Sequence, residues 1–188
     1  PREYCFCNYN KPFKAHCDII ILQHPHERRK YHSTASLIKS SIINCKLHRG
    51  IIFDERIFTE DLLRNGYLVY PSEDAEDCSN VPLNKNSKII LIDGTWCEAK
   101  KVVRRNPLLG TLPKLTLSKE YASNYRIRKQ PKENYLSTLE CVSYLLKSNS
   151  KISNADNNIE YYDSLLNVFN AMIDKQLEHL SNVSEALG

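Results

Sequence analysis

Two periodicities run along this chain. Short unbroken apolar runs mark strands buried on both faces, and apolar residues three or four apart mark helices with one buried stripe. Asp18–Gln23 is such a run, ended by His24-Pro25, and reads as a strand. Lys88–Asp93 is the clearest strand, and Tyr67–Tyr70, halted by Pro71, and Leu115–Leu117 are two more; Ile51–Phe53 is a further short candidate. Helical spacing places helices at Ser33–Asn44, with Ser33 as N-cap, and at Ile57–Arg64, stopped by Asn65-Gly66. Further helices are expected at Trp96–Arg105, ending before Pro107, and at Tyr135–Leu146. Ser148–Asn158 is polar and reads as a loop before a long amphipathic helix, Asn158–Leu180, with a stripe of Leu165, Leu166, Phe169, Ile173 and Leu177. Strands that alternate with helices and are continuously apolar predict an α/β fold: a mostly parallel sheet with helices on both faces and a long C-terminal helix.

Composition narrows this picture only a little. The chain has 188 residues, 41% of them hydrophobic, which suffices for one domain with a core. A formal net charge of +4 is mild, so polyanion binding would need a local basic patch. No run of about 18 apolar residues could span a membrane. Seven cysteines, mostly single within strands or helices, read as reduced thiols of a cytoplasmic or nuclear protein. The chain starts at Pro1 and its only methionine is Met172, so this reading expects further residues before Pro1.

Candidate chemistry clusters where strands end, because open α/β sheets bind ligands beyond their carboxyl edges. Three segments qualify: Tyr70–Asp74; Asp93–Lys100, opening Asp93-Gly94-Thr95-Trp96; and the stretch that follows Leu115–Leu117 and runs through Tyr125–Pro131, with Arg126, Arg128 and Lys129, to Leu136–Glu140. In the second, Gly94 permits a tight turn and Thr95 suits a helix cap. Asp93 could be a base, an acceptor or a cap, and Trp96 could stack on a ligand or fill core. Arg126, Arg128 and Lys129 lie among tyrosines, a combination suited to phosphates and unstacked bases. Lys100, Lys101, Arg104 and Arg105 form a second basic run, which could equally be a solvated helix face. Glycine-rich phosphate loops are absent. Cys5-Phe6-Cys7 is a CxC pair that could supply two of the four ligands a zinc site needs, with His16 and Cys17 the nearest residues that could complete it.

Taken in order, Ile21–Pro25 with Glu27, Ser33-Thr34, Tyr70–Ser72, Ile92–Trp96 with Ala99-Lys100, Tyr125–Pro131 and Leu136–Glu140 resemble the DTW-domain family of tRNA-uridine aminocarboxypropyltransferases, over roughly residues 1–180. The closest likeness is to its eukaryotic branch acting on cytosolic tRNA. The resemblance implies a SPOUT-like fold with a knotted cofactor site. It implies transfer of the 3-amino-3-carboxypropyl group of S-adenosylmethionine to N3 of a uridine in tRNA, with 5′-methylthioadenosine released. By the same resemblance Asp93, Thr95 and Trp96 are catalytic. Thr34, Tyr70, Pro71, Ser72, Trp96, Leu117, Leu136, Ser137 and Thr138 hold the cofactor. Lys100, Lys101, Arg104, Arg126, Arg128 and Lys129 meet tRNA, and Cys5 and Cys7 bind zinc with partners before Pro1. Residues 1–17 are then the remnant of a zinc-binding segment and 18–188 the catalytic domain, expected to act as a monomer. The rival readings are a SPOUT-type RNA methyltransferase, the equivalent transferase acting on ribosomal RNA, and a non-catalytic RNA-binding adaptor.

Overall fold

The computed structural model describes residues 7–28, 33–117, 121–125, 136–154 and 159–186, without the side chains of residues 7, 180, 181 and 183–186. Six strands form one wholly parallel sheet: β1 (Asp18–Gln23), β2 (Cys45–Arg49), β3 (Gly66–Val69), β4 (Glu76–Asp77), β5 (Lys88–Asp93) and β6 (Lys114–Thr116). Their order across the sheet is β2-β1-β5-β3-β6-β4. Among the described residues seven α-helices accompany them: α1 (Pro25–Arg28), α2 (Thr34–Ser41), α3 (Glu60–Asn65), α4 (Trp96–Arg105), α5 (Pro107–Gly110), α6 (Thr138–Ser150) and α7 (Ile159–Ala186).

The central strands are apolar throughout because alternate residues feed two cores. Ile19 and Ile21 of β1 and Ile89 and Leu91 of β5 pack with α2, α6 and α7. Ile20, Leu22 and Ile90 face the other way, against Leu62 of α3, Val102 of α4 and Leu109 of α5. Each such buried side chain contributes roughly 1.5–3 kcal/mol, so this double packing is what holds β1 and β5 in the interior of the sheet. Of the expected stripe on α7, Leu165, Phe169 and Ile173 are buried and Leu166 and Leu177 partly buried, joined by buried Tyr162, Val168 and Met172, so the helix packs within the chain.

Several boundaries differ from the sequence expectation. The helix begun at Ser33 ends at Ser41, not Asn44. The Asn44 side chain bonds the backbone of Ala15 and Cys17, and this draws the chain directly into β2. Ile51–Phe53 is not a strand: buried Asn106 accepts from the Phe53 amide (2.8 Å) and donates to the Ile51 carbonyl (2.8 Å), taking up the backbone groups a ladder would use. The segment expected to be helical from Ile57 holds a 3-10 turn, Glu55–Ile57, and then α3, capped by Thr59. Helix α6 starts at Thr138 under a Ser137–Glu140 capping box and runs on to Ser150, beyond Leu146. Gly66 is not a left-handed helix stop. It is extended, and a Cβ there would lie 2.2 Å from the Leu62 carbonyl oxygen, so glycine is needed for the close join of α3 to β3.

Candidate active site

Parallel pairing sets Gln23 of β1 level with Asp93 of β5. Both are the last residues of their strands, and both are buried, Asp93 to 5% exposure. The Gln23 amide nitrogen donates to Asp93 Oδ2 at 2.9 Å and to the Ser33 hydroxyl at 2.8 Å. The Gln23 carbonyl oxygen accepts from Arg49 Nε at 3.0 Å, which fixes the amide with its nitrogen towards Asp93. Asp93 Oδ1 accepts from the Thr138 hydroxyl at 2.6 Å. A buried carboxylate is thus held by neutral donors from β1 and α6.

Asp93 is therefore not the cap of α4. Thr95 fills that position, in a capping box with Glu98: the Thr95 amide and hydroxyl donate to Glu98 Oε2 at 2.7 and 2.9 Å. Gly94 has no positive φ, and its place is tight: a Cβ would lie 3.2 Å from Glu98 Cβ and 3.4 Å from His24 Cβ, so the neighbours would have to give by a few tenths of an ångström. The His24 amide donates to the Asp93 carbonyl (2.8 Å), extending the β1–β5 ladder past the strand ends. The other Glu98 oxygen, Oε1, faces His24 Nδ1 at 3.1 Å and His26 Nδ1 at 2.9 Å. Burial pushes the Glu98 carboxyl up, but the Thr95 bonds and the two imidazoles outweigh it, and the group sits below its ordinary value.

A cavity of about 410 Å³ opens at the carboxyl ends of β3, β5 and β6. Its wall is largely apolar. Ile92 and Gly94, flanking Asp93, line it together with Tyr70, Trp96, Leu117 and Leu136. Trp96 is 38% exposed and stacks on Tyr70, ring centres 5.1 Å apart and planes 17° from parallel, so it is a rim residue rather than core. The Lys100 ammonium lies 5.4 Å from the Trp96 ring centre. Below the rim, burial pushes the Cys141 thiol up to about 12, which keeps this wall residue protonated and unreactive.

Of the residues expected to hold a cofactor, Tyr70, Pro71, Trp96, Leu117 and Leu136 line this cavity. Ser137 and Thr138 border it as the cap and first turn of α6, and Thr138 is spent on Asp93. Thr34 opens α2 beside Ser33, and Ser72 is exposed; neither lines the cavity. Lys100, Lys101 and Arg104 are exposed on α4, and none forms an ion pair with a described residue. Arg126, Arg128 and Lys129 lie outside the described residues, as do Cys5 and the Cys7 side chain. The approach to that basic segment is nonetheless fixed: buried Glu140 accepts from Ser123 Oγ and from the amides of Asn124 (2.6 Å) and Ser137 (2.7 Å), while Tyr121 stacks on Tyr144.

Sequence reasoning placed Gln23 and Glu98 within its motifs but gave them no role, and did not single out Arg49 or Cys141. Gln23 carried a signal, as a polar residue ending a buried apolar strand. Arg49 carried none, because β2 was not read as a strand.

A family model described as DTW domain matches residues 1–177 of the chain. Curated relatives named tRNA-uridine aminocarboxypropyltransferase 2 are similar to it. That of Macaca fascicularis is 31% identical over 190 residues, covering 95% of this chain and 62% of its own. Those of Mus musculus and Drosophila melanogaster are 30% and 32% identical, over 190 and 156 residues. The chain thus spans about 62% of the length of the curated relatives it matches. No solved structure matches it.

Proposed function

Given that the chain belongs to the DTW-domain family, we propose that it transfers the 3-amino-3-carboxypropyl group of S-adenosylmethionine to N3 of a uridine in tRNA, leaving 5′-methylthioadenosine. The observation that carries this reading is the cavity at the strand ends, with a buried and rigidly held carboxylate beside it. Its volume falls in the range of small-molecule sites, roughly 300–1,000 Å³. An apolar wall of Leu115, Leu117 and Leu136 suits an adenine face, and the Tyr70–Trp96 pair offers a planar surface at the mouth.

The donor's sulfonium supplies a good leaving group, so the protein's task is to choose which carbon is presented. Asp93 is suited to that task. An ionised carboxylate forms charge-assisted hydrogen bonds with a cation such as the donor's α-ammonium, and the bonds from Gln23 and Thr138 fix the direction in which Asp93 presents its oxygens. That role fits a fixed, fully aligned side chain better than proton abstraction does. Thr95 and Glu98 build the helix start that places Trp96. Lys100, Lys101 and Arg104, on the helix that begins at the rim, are placed for tRNA phosphates.

The test is transfer from labelled S-adenosylmethionine to tRNA by wild type, Asp93→Ala and Asp93→Asn, with the released nucleoside identified by mass. Methylthioadenosine and loss of transfer in both variants are expected. Wild-type rates in both would remove Asp93 from the mechanism. S-adenosylhomocysteine would indicate a methyltransferase, preference for ribosomal RNA a different substrate, and tRNA binding without cofactor affinity an adaptor.

A further inference from the structure

His24, His26 and Glu98 converge beside the turn between β5 and α4. Among the described residues they are the one His/Cys/Asp/Glu cluster whose ligand atoms all lie within 4.8 Å of one another. Three local features make it. The strand β1 ends before His24, and Pro25 starts α1, so the two imidazoles flank the proline with ring centres 4.7 Å apart. The capping box occupies Glu98 Oε2 and leaves Oε1 facing both Nδ1 atoms. Gly94, lacking a side chain, lets His24 and Glu98 close on each other.

Two hydrogen bonds do not explain this arrangement well. A neutral imidazole has one N–H and one lone pair. For both histidines to donate to Oε1, both Nδ1 atoms must carry hydrogen. Yet the His26 amide points at His24 Nδ1, 3.4 Å away, where it would need a lone pair. The other nitrogen of His24, Nε2, is buried with no partner among the described residues, so nothing on that side holds a proton on Nδ1. Three potential ligand atoms, all within 4.8 Å of one another, are instead what a cation requires. Ligands held about 2.0–2.1 Å from a tetrahedral ion stand roughly 3.3 Å apart. The observed separations of 3.1 and 2.9 Å need to open only slightly.

We propose that His24 Nδ1, His26 Nδ1 and Glu98 Oε1 bind a divalent first-row transition-metal ion of the zinc class. Two imidazoles and a carboxylate suit zinc, cobalt or nickel and disfavour magnesium and calcium, which take all-oxygen sets. His26 is 73% exposed at its side chain, so solvent completes the coordination. The ion would join the β1–α1 turn to the first turn of α4 at the peptide that follows Asp93. This site is separate from the Cys5/Cys7 pair and does not depend on the transferase reading.

The experiment uses the whole chain with Cys5→Ser and Cys7→Ser, titrated with Co²⁺ alone and followed by absorption and calorimetry. The expected result is a single saturable equivalent with weak visible bands and no thiolate charge-transfer band, displaced by Zn²⁺ but not by Mg²⁺. His26→Ala should weaken binding by about 100-fold or more. Glu98→Gln should do likewise; since glutamine still completes a capping box, the fold of α4 is kept. Absence of saturable uptake, a thiolate band, or unchanged affinity in His26→Ala would each overturn the proposal.

Discussion

The Thr138 hydroxyl donates to Asp93 Oδ1 at 2.6 Å, tying the first residue of α6 to the last residue of β5. Gln23 holds the other oxygen from the neighbouring strand, so the carboxylate, between the cavity-lining residues Ile92 and Gly94, is fixed from two sides. Thr138→Val keeps the shape and removes one donor. A buried acceptor left without its partner costs about 1–3 kcal/mol. If that cost falls on the transition state, kcat drops about 10–100-fold. Thr138→Ser restores it. Steady-state transfer assays on the three proteins, with KM and kcat separated, check this.

The Tyr70–Trp96 pair predicts a binding effect rather than a folding one. Trp96 is partly exposed, so Trp96→Ala should leave the melting temperature nearly unchanged. Loss of an aromatic surface worth about 0.5–1.5 kcal/mol should weaken S-adenosylmethionine binding by up to about tenfold. Trp96→Phe should retain most of the affinity. Calorimetry on both variants is sufficient.

Glu140 anchors the segment before Arg126. Glutamine at this position turns an NH₂ towards donors that now meet carboxylate oxygens. We expect Glu140→Gln to lower unfolding stability by about 1–3 kcal/mol. Amide exchange at residues 123–125 should rise by more than exchange in β5. Equal acceleration in both places would assign Glu140 a purely global role.

Acid sensitivity should centre on His16. It joins the N-terminal segment to α7 through Tyr162 OH (2.6 Å) and to α6 through Asn149 Oδ1 (3.2 Å). Burial holds its imidazole below the ordinary 6.5, partly offset by the Asn149 bond. The unfolded chain therefore takes up the proton first as pH falls. His16 contributes its full share of stability above pH 6.5 and loses it as pH drops through the folded value. Melting temperatures at pH 7 and pH 5 should differ less in His16→Gln than in wild type.

Alkaline behaviour should be set by buried thiols. Burial pushes Cys17, Cys45 and Cys141 from the ordinary 9.0 to about 12. Their contribution is complete below pH 9 and is lost as pH rises towards 12, because the unfolded chain ionises first. Exposed Cys97 should react with iodoacetamide in the native protein while buried Cys17 and Cys45 stay unmodified until denaturant is added. Peptide mass mapping reads the result directly.

Local signals explain which elements could be read from the chain. Asp18–Gln23, Lys88–Asp93 and Trp96–Arg105 match their expected limits because an unbroken apolar run or a cap lies within each segment. Cys45–Arg49 was invisible, since an edge strand reading Cys-Lys-Leu-His-Arg buries too little to show a pattern. Ile51–Phe53 misled for the opposite reason: it is apolar, yet a distant asparagine takes its backbone bonds. The site divides the same way. The motif around Asp93 and the residues Tyr70, Trp96 and Leu136 were legible as strand-end chemistry, and Leu117 through the family resemblance.

By itself, the sequence determined a parallel α/β sheet, its two central strands, the capped helix after Gly94 and the family to which they belong. These follow from periodicity and from residues near one another in the chain. Only the tertiary structure decided what holds Asp93. Its partners Gln23 and Thr138 lie 70 and 45 residues away, and they meet it through strand register and the docking of α6. It likewise decided that Gly94 serves closeness rather than backbone freedom, and that His24, His26 and Glu98 share one point in space. Periodicity reports which face of an element is buried; it carries no information on which buried faces touch, and that is fixed by packing.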